Sequence, residues 1–447
     1  MTEDAPRTDV GDQVLALSVR RRGGGFIPGD AGYSAIMTSV PLAPARDALR
    51  PTVSPPQPMQ RRRLLGVTLA HFLNDFHMAW LSPLLPLLVP RFNLSLALAG
   101  LLGTILNTSS ALSQPLFGLV ADRQSRSRLV ALGPLLTVAA MSLTGILPTY
   151  PALVVALLCA GIGTAAFHPQ GAASAGFHSG ARRATGLAVF VAGGELAYAV
   201  GPLYIAALVQ WQGLSWTLPA GVPGAVIMVF LAAILWQWPT ARPARAGTVR
   251  RALRAQRRTL VLLWIYVVVR SIISISFITF LPLVLRERGL SLVLGGTAVF
   301  LFGGVGAAGG FTGGILAEWL GRRAVLLLSL LLSAPLMALY LLAPLGWGFL
   351  LLPVAGVLLY TSAPVTVTMA QESLPQHASL ASSIVMGLAW GIGGLMLTAV
   401  GATADVIGLR NTLLLTLVLN VPALLAATGL ATSPRQQDDP PPTGPGL

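Results

Sequence analysis

Lysine is absent from this chain of 447 residues. All 29 of its basic positions are arginine, against 15 acids, for a net charge of +14. Charge is scarce overall, at 10% of residues, where an ordinary soluble domain carries roughly 25%. That scarcity excludes a soluble globule, because too little polar surface exists to coat one. Cysteine is nearly absent too. Cys159 stands alone inside an apolar run, which excludes an internal disulfide and a cysteine-based metal cluster. It reads as a small core residue. No strand precedes the glycine run Gly303–Gly310, which excludes a phosphate-cradling loop and leaves close helix packing as its use.

What the chain does have is apolar length. Hydrophobic residues make up 54%, and the mean hydropathy is +0.74. A bilayer-crossing helix needs about 20 mostly apolar residues. Twelve runs qualify, near 64–90, 96–120, 129–147, 151–172, 184–210, 215–238, 259–285, 292–317, 323–343, 347–371, 379–404 and 410–431. Residues 1–58, rich in Pro, Gly and Arg, read as a disordered arm, and residues 432–447 read as a disordered tail. The arm lacks the apolar core of a signal peptide. Met59, followed by Gln60 and Arg61-Arg62-Arg63, and Met37 are alternative starts to Met1. N-terminal sequencing of the native protein tests this; a chain beginning near residue 1 ends the idea.

A basic chain can bind nucleic acid, but these arginines sit in short segments between apolar runs, the pattern of membrane topology. With both ends cytoplasmic, 24 arginines fall on the inner side. Four (Arg91, Arg286, Arg288 and Arg410) fall outside, and Arg270 lies within span 7. Without the arm the bias is still 15 to 4. The expectation is an all-α, multi-pass protein of a bacterial cytoplasmic membrane with both termini inside. Its partners are the lipid bilayer, protons and a small-molecule substrate, with no nucleic acid.

The chain repeats itself. Gly118 and Asp122 recur as Gly314 and Glu318, and Pro86 as Pro282, each 196 residues on. Gly193-Gly194 and Ala199-Val200-Gly201 recur as Gly393-Gly394 and Ala399-Val400-Gly401, 200 residues on. The basic linker 239–258 separates a six-helix bundle at 59–238 from a second at 259–431. Two duplicated halves mark a secondary transporter, with its site near the midplane between them.

The loop motifs carry a resemblance. They are similar to the Gly-x-x-x-Asp-Arg-x-Gly-Arg-Arg signature of the major facilitator superfamily. The first copy keeps Gly118, Asp122, Arg123 and Arg126 but has Ser125 for the inner glycine. The second keeps Gly314, Gly321, Arg322 and Arg323, with Glu318 for Asp and Trp319 for Arg. Such a loop acts as a conformational latch: the glycine lets helices approach, and the acid pairs with arginine or caps a helix. Within that superfamily the chain resembles the fosmidomycin-resistance-like efflux group. The residues concerned are His71-Phe72-Leu73-Asn74-Asp75, Ser82 to Leu88, Ser113-Gln114-Pro115, Phe167-His168-Pro169, Gly193-Gly194, Gly201-Pro202, Met369-Ala370-Gln371-Glu372 and Leu380-Ala381-Ser382. The resemblance covers about 60–431. Two features depart from drug/proton antiporters: span 4 has no arginine before Gly161, and Ala197 stands where a glycine is expected.

Ionisable groups inside a membrane face a cavity and a partner. Asp75 in span 1, Glu195 in span 5 and Arg270 in span 7 are the three in mid-span. The 196 offset maps Asp75 onto Ser271, beside Arg270, so opposite charges stand at similar levels, and the resemblance implies that both spans line the cavity. They read either as a proton and substrate site or as a structural ion pair. Asp75, Glu195 and His71, four residues before Asp75, are the proton-coupling candidates. Arg270 offers a fork for an anionic or zwitterionic substrate. Asn74, Asn107 and Gln114 are further substrate contacts, and Trp80, Trp264 and Trp390 serve as ring stackers or packing. His168, with Pro169 after it, reads as a helix-end group, and His77 carries less. The histidine spacing matches no metal-ligand set, so neither metal nor cofactor is expected; the energy source is the proton gradient. The function that follows is proton-coupled efflux of a small anionic or amphiphilic compound by a monomer, with proton-coupled uptake as the alternative. An intramembrane enzyme built on His71 and Asp75 lacks a recognisable nucleophile, and a sensor lacks a signalling domain.

Overall fold

The computed structural model describes residues 58–121, 128–236, 249–374 and 377–430, and among the described residues helices are joined by short turns, with no strand. Expectations for the arm, the tail, the first half of the basic linker, and Asp122, Arg123 and Arg126 of the first loop motif fall outside them. The first half holds α1 (Arg61–Met78), α2 (Leu81–Phe92), α3 (Leu96–Ala121), α4 (Arg128–Leu143), α5 (Tyr150–His178), α6 (Arg183–Gln212) and α7 (Thr217–Leu235). A short α8 (Val249–Ala255) leads into α9 (Arg257–Glu287). Then come α10 (Leu292–Val299), α11 (Ala308–Leu320), α12 (Arg322–Leu342), α13 (Leu345–Tyr360) and α14 (Ser362–Ser373). The chain closes with α15 (Ala378–Ser382), α16 (Ala389–Leu395), α17 (Leu397–Ile407), α18 (Leu409–Val418) and α19 (Asn420–Thr428).

Ten helices among the described residues are long and apolar enough to cross a membrane, and α4 is a shorter apolar one. The twelfth crossing is α1 with α2, which misses that measure because it carries Arg61 to Arg63, His71, Asn74, Asp75 and His77. Its break at Ala79–Trp80 has a local cause. Pro83 has no N–H for the carbonyl of Ala79, four residues back, and its ring crowds that carbonyl. Two later crossings are interrupted by π-helical turns, at Phe300–Gly304 and Ser383–Leu388. The first falls on the glycine run, so that run supplies a helix irregularity as well as close packing.

The halves meet along α3 against α16 and α17, α6 against α10, and α2 against α9. Ser82 Oγ donates to the Ile278 carbonyl. These positions are 196 apart, the repeat offset itself. Repeat-related positions can touch only on the pseudo-twofold axis, so this contact marks it. Thr104 Oγ1 donates to the Gly394 carbonyl at 2.9 Å and accepts from Thr398 N–H at 3.2 Å. At the end where α3 and α10 begin, each helix N-terminus is capped from the opposite half. Asp405 accepts from Leu96 N–H at 2.7 Å and Ala97 N–H at 2.9 Å. Gln210 accepts from Val293 N–H at 3.1 Å. Ala97 and Val293 are again 196 apart, so the two caps are pseudo-symmetric closures of one end.

Asp405 adds charge at a helix N-terminus, where a cap contributes about 1 kcal/mol. Asp405→Ala removes this cap and is expected to loosen this end and raise the population open there roughly fivefold. Electron–electron resonance distances between labels on Gln212 and Arg410, with Cys159→Ser, report it. An unchanged distance distribution removes the closure role.

Candidate functional site

Asp75 sits on α1, buried to 3% exposure, and its carboxylate is surrounded by donors. Asn74 Nδ2 donates to Oδ1 at 2.8 Å. His168 Nε2 lies 3.3 Å from Oδ1, and His71 Nε2 lies 3.1 Å from Oδ2. His71 Nδ1 in turn stands 2.8 Å from the Phe190 carbonyl. A carbonyl only accepts, so Nδ1 carries a hydrogen. Between Nε2 and Oδ2 there is then one further proton, held either by the imidazole or by the acid. The pair shares one proton that either group can hold.

Packing fixes that geometry. The His71 ring stacks on Phe190 with centroids 4.1 Å apart and planes 13° apart, and His168 meets it edge-on at 5.2 Å. Gly194 closes the other side: a Cβ there would lie 2.5 Å from His71 Cε1 and 3.0 Å from Asp75 Oδ2. Gly194→Ala is therefore expected to push the ring out of line, lowering stability by about 1–3 kcal/mol and impairing transport. Thermal unfolding and transport assays of the purified variant check both; unaltered transport would show that the ring position is not critical.

A cavity of about 310 Å³ opens beside this network, between the halves. The first half lines it with His71, Asp75, Asn107, Glu195 and Tyr198. The second half contributes Arg270, Tyr360 and Trp390. Arg270 is 3% exposed, and its Nε and Nη1 have no hydrogen-bond partner among the described residues. Its guanidinium carbon stands 6.0 Å from the centre of the Tyr360 ring. A buried guanidinium with unsatisfied donors in a cavity wall is suited to pair with an anion. Glu195, by contrast, is exposed to the cavity and lies within electrostatic reach of Asp75 and His71.

Several expectations change. Asp75 and Arg270 form no ion pair; each keeps to its own half, and histidines take the partner's place. His168 is no helix-end group. Helix α5 continues ten residues past it, through Pro169, and delivers it to Asp75. The histidine spacing in sequence hid a cluster: ligand-type atoms of His71, Asp75 and His168 lie within 4.8 Å of one another, a spacing that could hold a metal ion. Each nitrogen nevertheless faces its own carboxylate oxygen at hydrogen-bond distance, a contact a proton satisfies. Asn74 does not line the cavity. It is fully buried and holds Asp75 and Thr164. Asn107 does line it, with Nδ2 donating to the Gly103 carbonyl at 2.8 Å, whereas Gln114, two turns on, does not. Of the three tryptophans only Trp390 lines the cavity; Trp80 is core. His77 is also core, with Nδ1 donating to the Leu73 carbonyl at 2.7 Å. Gly201 packs on the Phe76 carbonyl, and Pro202 faces the cavity.

The second loop motif is rearranged as well. Gly314 faces open space, and the close approach to α13 and Thr361 is made by Gly309 and Gly313. Glu318 is exposed and makes no ion pair among the described residues. Arg322 instead grips Glu372 at the end of α14, Nη2 to Oε1 at 2.7 Å, with Nη1 bonded to Oε2. Gly321 turns the chain at φ 87° into α12, which begins with Arg322 and the half-buried Arg323. Gly118 lies within α3. Tyr198, Tyr360 and Phe190 were not apparent in the sequence, where aromatic residues in apolar runs read as packing.

The family model of the Major Facilitator Superfamily matches residues 67–398. The transporter YfnC of Bacillus subtilis, of the same superfamily type, is 29% identical over 81% of this chain and 91% of its own length. The fosmidomycin resistance protein of Escherichia coli is 26% identical over 83% and 91% respectively. Among solved structures, an inward-facing, unoccupied bacterial homolog of the human lysosomal transporter Spinster superposes with a TM-score of 0.69 at 18% identity, covering 83% of this chain and 98% of that one. The nucleoside transporter NupG gives 0.67 at 15%, over 82% and 98%. With its helical membrane spans, its central cavity and a match across most of its length, the chain belongs to the Major Facilitator Superfamily of transporters.

Proposed function

We propose that the protein is a proton-coupled exporter of a small organic anion, working as a monomer in a bacterial cytoplasmic membrane with both termini inside. The observation that carries this is the pairing of a one-proton store, His71–Asp75–His168, with an unpartnered Arg270 on the opposite wall of one cavity. The arginine bias supports an orientation with both termini inside; in that orientation the capped α3 and α10 ends lie outside and this conformer is shut to the exterior. The substrate anion enters from the cytoplasm and satisfies the Arg270 guanidinium. The caps on α3 and α10 then give way, the anion leaves, and a proton taken up from outside accompanies the return. Similarity to a fosmidomycin resistance protein supports the export direction.

One observation favours uptake instead. Asp75 and Arg270 do not touch, so an anion on Arg270 displaces no carboxylate. It adds negative charge near the acids and favours their protonation, which suits inward cotransport of anion and proton. Expression in a drug-hypersensitive bacterium separates the readings. Resistance within a panel that includes phosphonate antibiotics, lost with an uncoupler and in Asp75→Asn and Glu195→Gln, supports export. No protection from a well-expressed protein rules export out and leaves uptake.

A further inference from the structure

The cavity is dipolar. Its basic pole is Arg270 on α9, buried and with two unpartnered nitrogens. Its acidic pole is Glu195 on α6, open to the cavity and without a hydrogen bond or ion pair among the described residues. Tyr198 follows Glu195 by three residues, on the same helix face, and also lines the cavity. A carboxylate beside an exposed aromatic ring is a site for an ammonium group, which pairs with the acid and lies against the ring. Arg270, Tyr360, Glu195 and Tyr198 line one cavity of about 310 Å³, so one small molecule can meet both poles. Neither pole has a charged equivalent in the other half, since the repeat maps Glu195 onto Leu395 and Arg270 onto Asn74. The asymmetry therefore serves the cargo rather than the scaffold.

We infer that the substrate is zwitterionic, with a phosphonate- or carboxylate-type anion on Arg270 and a protonated amine on Glu195 and Tyr198. This rests on the anion-binding reading of Arg270 and deepens it. It also supplies what a plain anion lacks. An ammonium group and a proton cannot both neutralise Glu195, so each expels the other, and mutual exclusion is what turns cotransport into exchange.

The test is calorimetric titration of the purified protein with two matched series, alkylphosphonates and ω-aminoalkylphosphonates of one to four carbons. In the wild type the amine is expected to raise affinity roughly tenfold or more at one chain length, the effect of one added charge-assisted contact. In Glu195→Gln that ratio is expected to fall to about one, and Glu195→Asp is expected to move the optimum to a longer chain. Size-exclusion profiles and thermal unfolding certify that each variant is folded. Two results overturn the inference alone: alkylphosphonates bind through Arg270 with no gain from the amine, or a gain that survives in Glu195→Gln. If neither series binds, or binding is indifferent to Arg270→Gln, the anion reading falls with it.

Discussion

Asp75→Asn is expected to cut proton-coupled transport by roughly 100-fold or more while leaving the protein folded. The effect on coupling follows from the donors and acceptors around the residue. His71 Nδ1 is committed to the Phe190 carbonyl, so the exchangeable proton resides between Nε2 and Asp75 Oδ2. An amide cannot hold that proton, and loss of a positioned proton-transfer group typically removes 10²–10⁴-fold of rate. The structure survives because Asn fits the same frame. Its Oδ1 still accepts from Asn74 and His168, and its Nδ2 donates to a neutral His71 Nε2. Asp75→Ala removes those partners and orphans buried polar groups, at about 1–3 kcal/mol each. Comparing thermal unfolding and transport of the two variants separates the proton from the packing. Normal coupling in a folded Asp75→Asn protein would exclude the proposed store.

Arg270→Gln is expected to move function and stability in opposite directions. Affinity for the anion falls by about 10- to 100-fold, because charge-assisted hydrogen bonds contribute about 1.5–3 kcal/mol. The empty protein, however, becomes more stable by about 1–3 kcal/mol. Its buried guanidinium has two unpartnered nitrogens, and removing an uncompensated buried charge relieves that penalty. Arg270→Lys keeps the charge and loses the fork, so it is expected to bind weakly without the stability gain. Anion titration and thermal unfolding in detergent check both halves. A destabilised Arg270→Gln with intact binding would show that the arginine is structural.

Much of this architecture was legible in the sequence. Apolar run length and arginine placement respond directly to the bilayer, and the 196-residue offset reappears as the Ser82–Ile278 contact on the axis. The His71–Asp75 contact was legible because four residues is one helical turn. His168 was not. Its approach depends on how α5 packs on α1, and Pro169 reads as a terminator although neighbouring helices tolerate proline inside a membrane span. The repeat placed Asp75 and Arg270 at matching levels but said nothing of the gap between the walls, and the gap is the cavity. Glu318 read as the loop's acid because it lies within the motif. The arginine's partner, Glu372, stands 50 residues away and meets it only once α14 packs beside α12. The caps by Asp405 and Gln210 are contacts between halves, invisible to any local pattern.

Exchange of one proton for substrate through the proposed His71–Asp75–His168 store is tested most directly in proteoliposomes loaded with a pH-sensitive dye and given a gradient of an ω-aminoalkylphosphonate. Proton movement opposite to the flow of that compound is expected in the wild type, and none in Asp75→Asn. Transport of the compound with no proton movement, or undiminished proton movement in Asp75→Asn, would contradict the exchange.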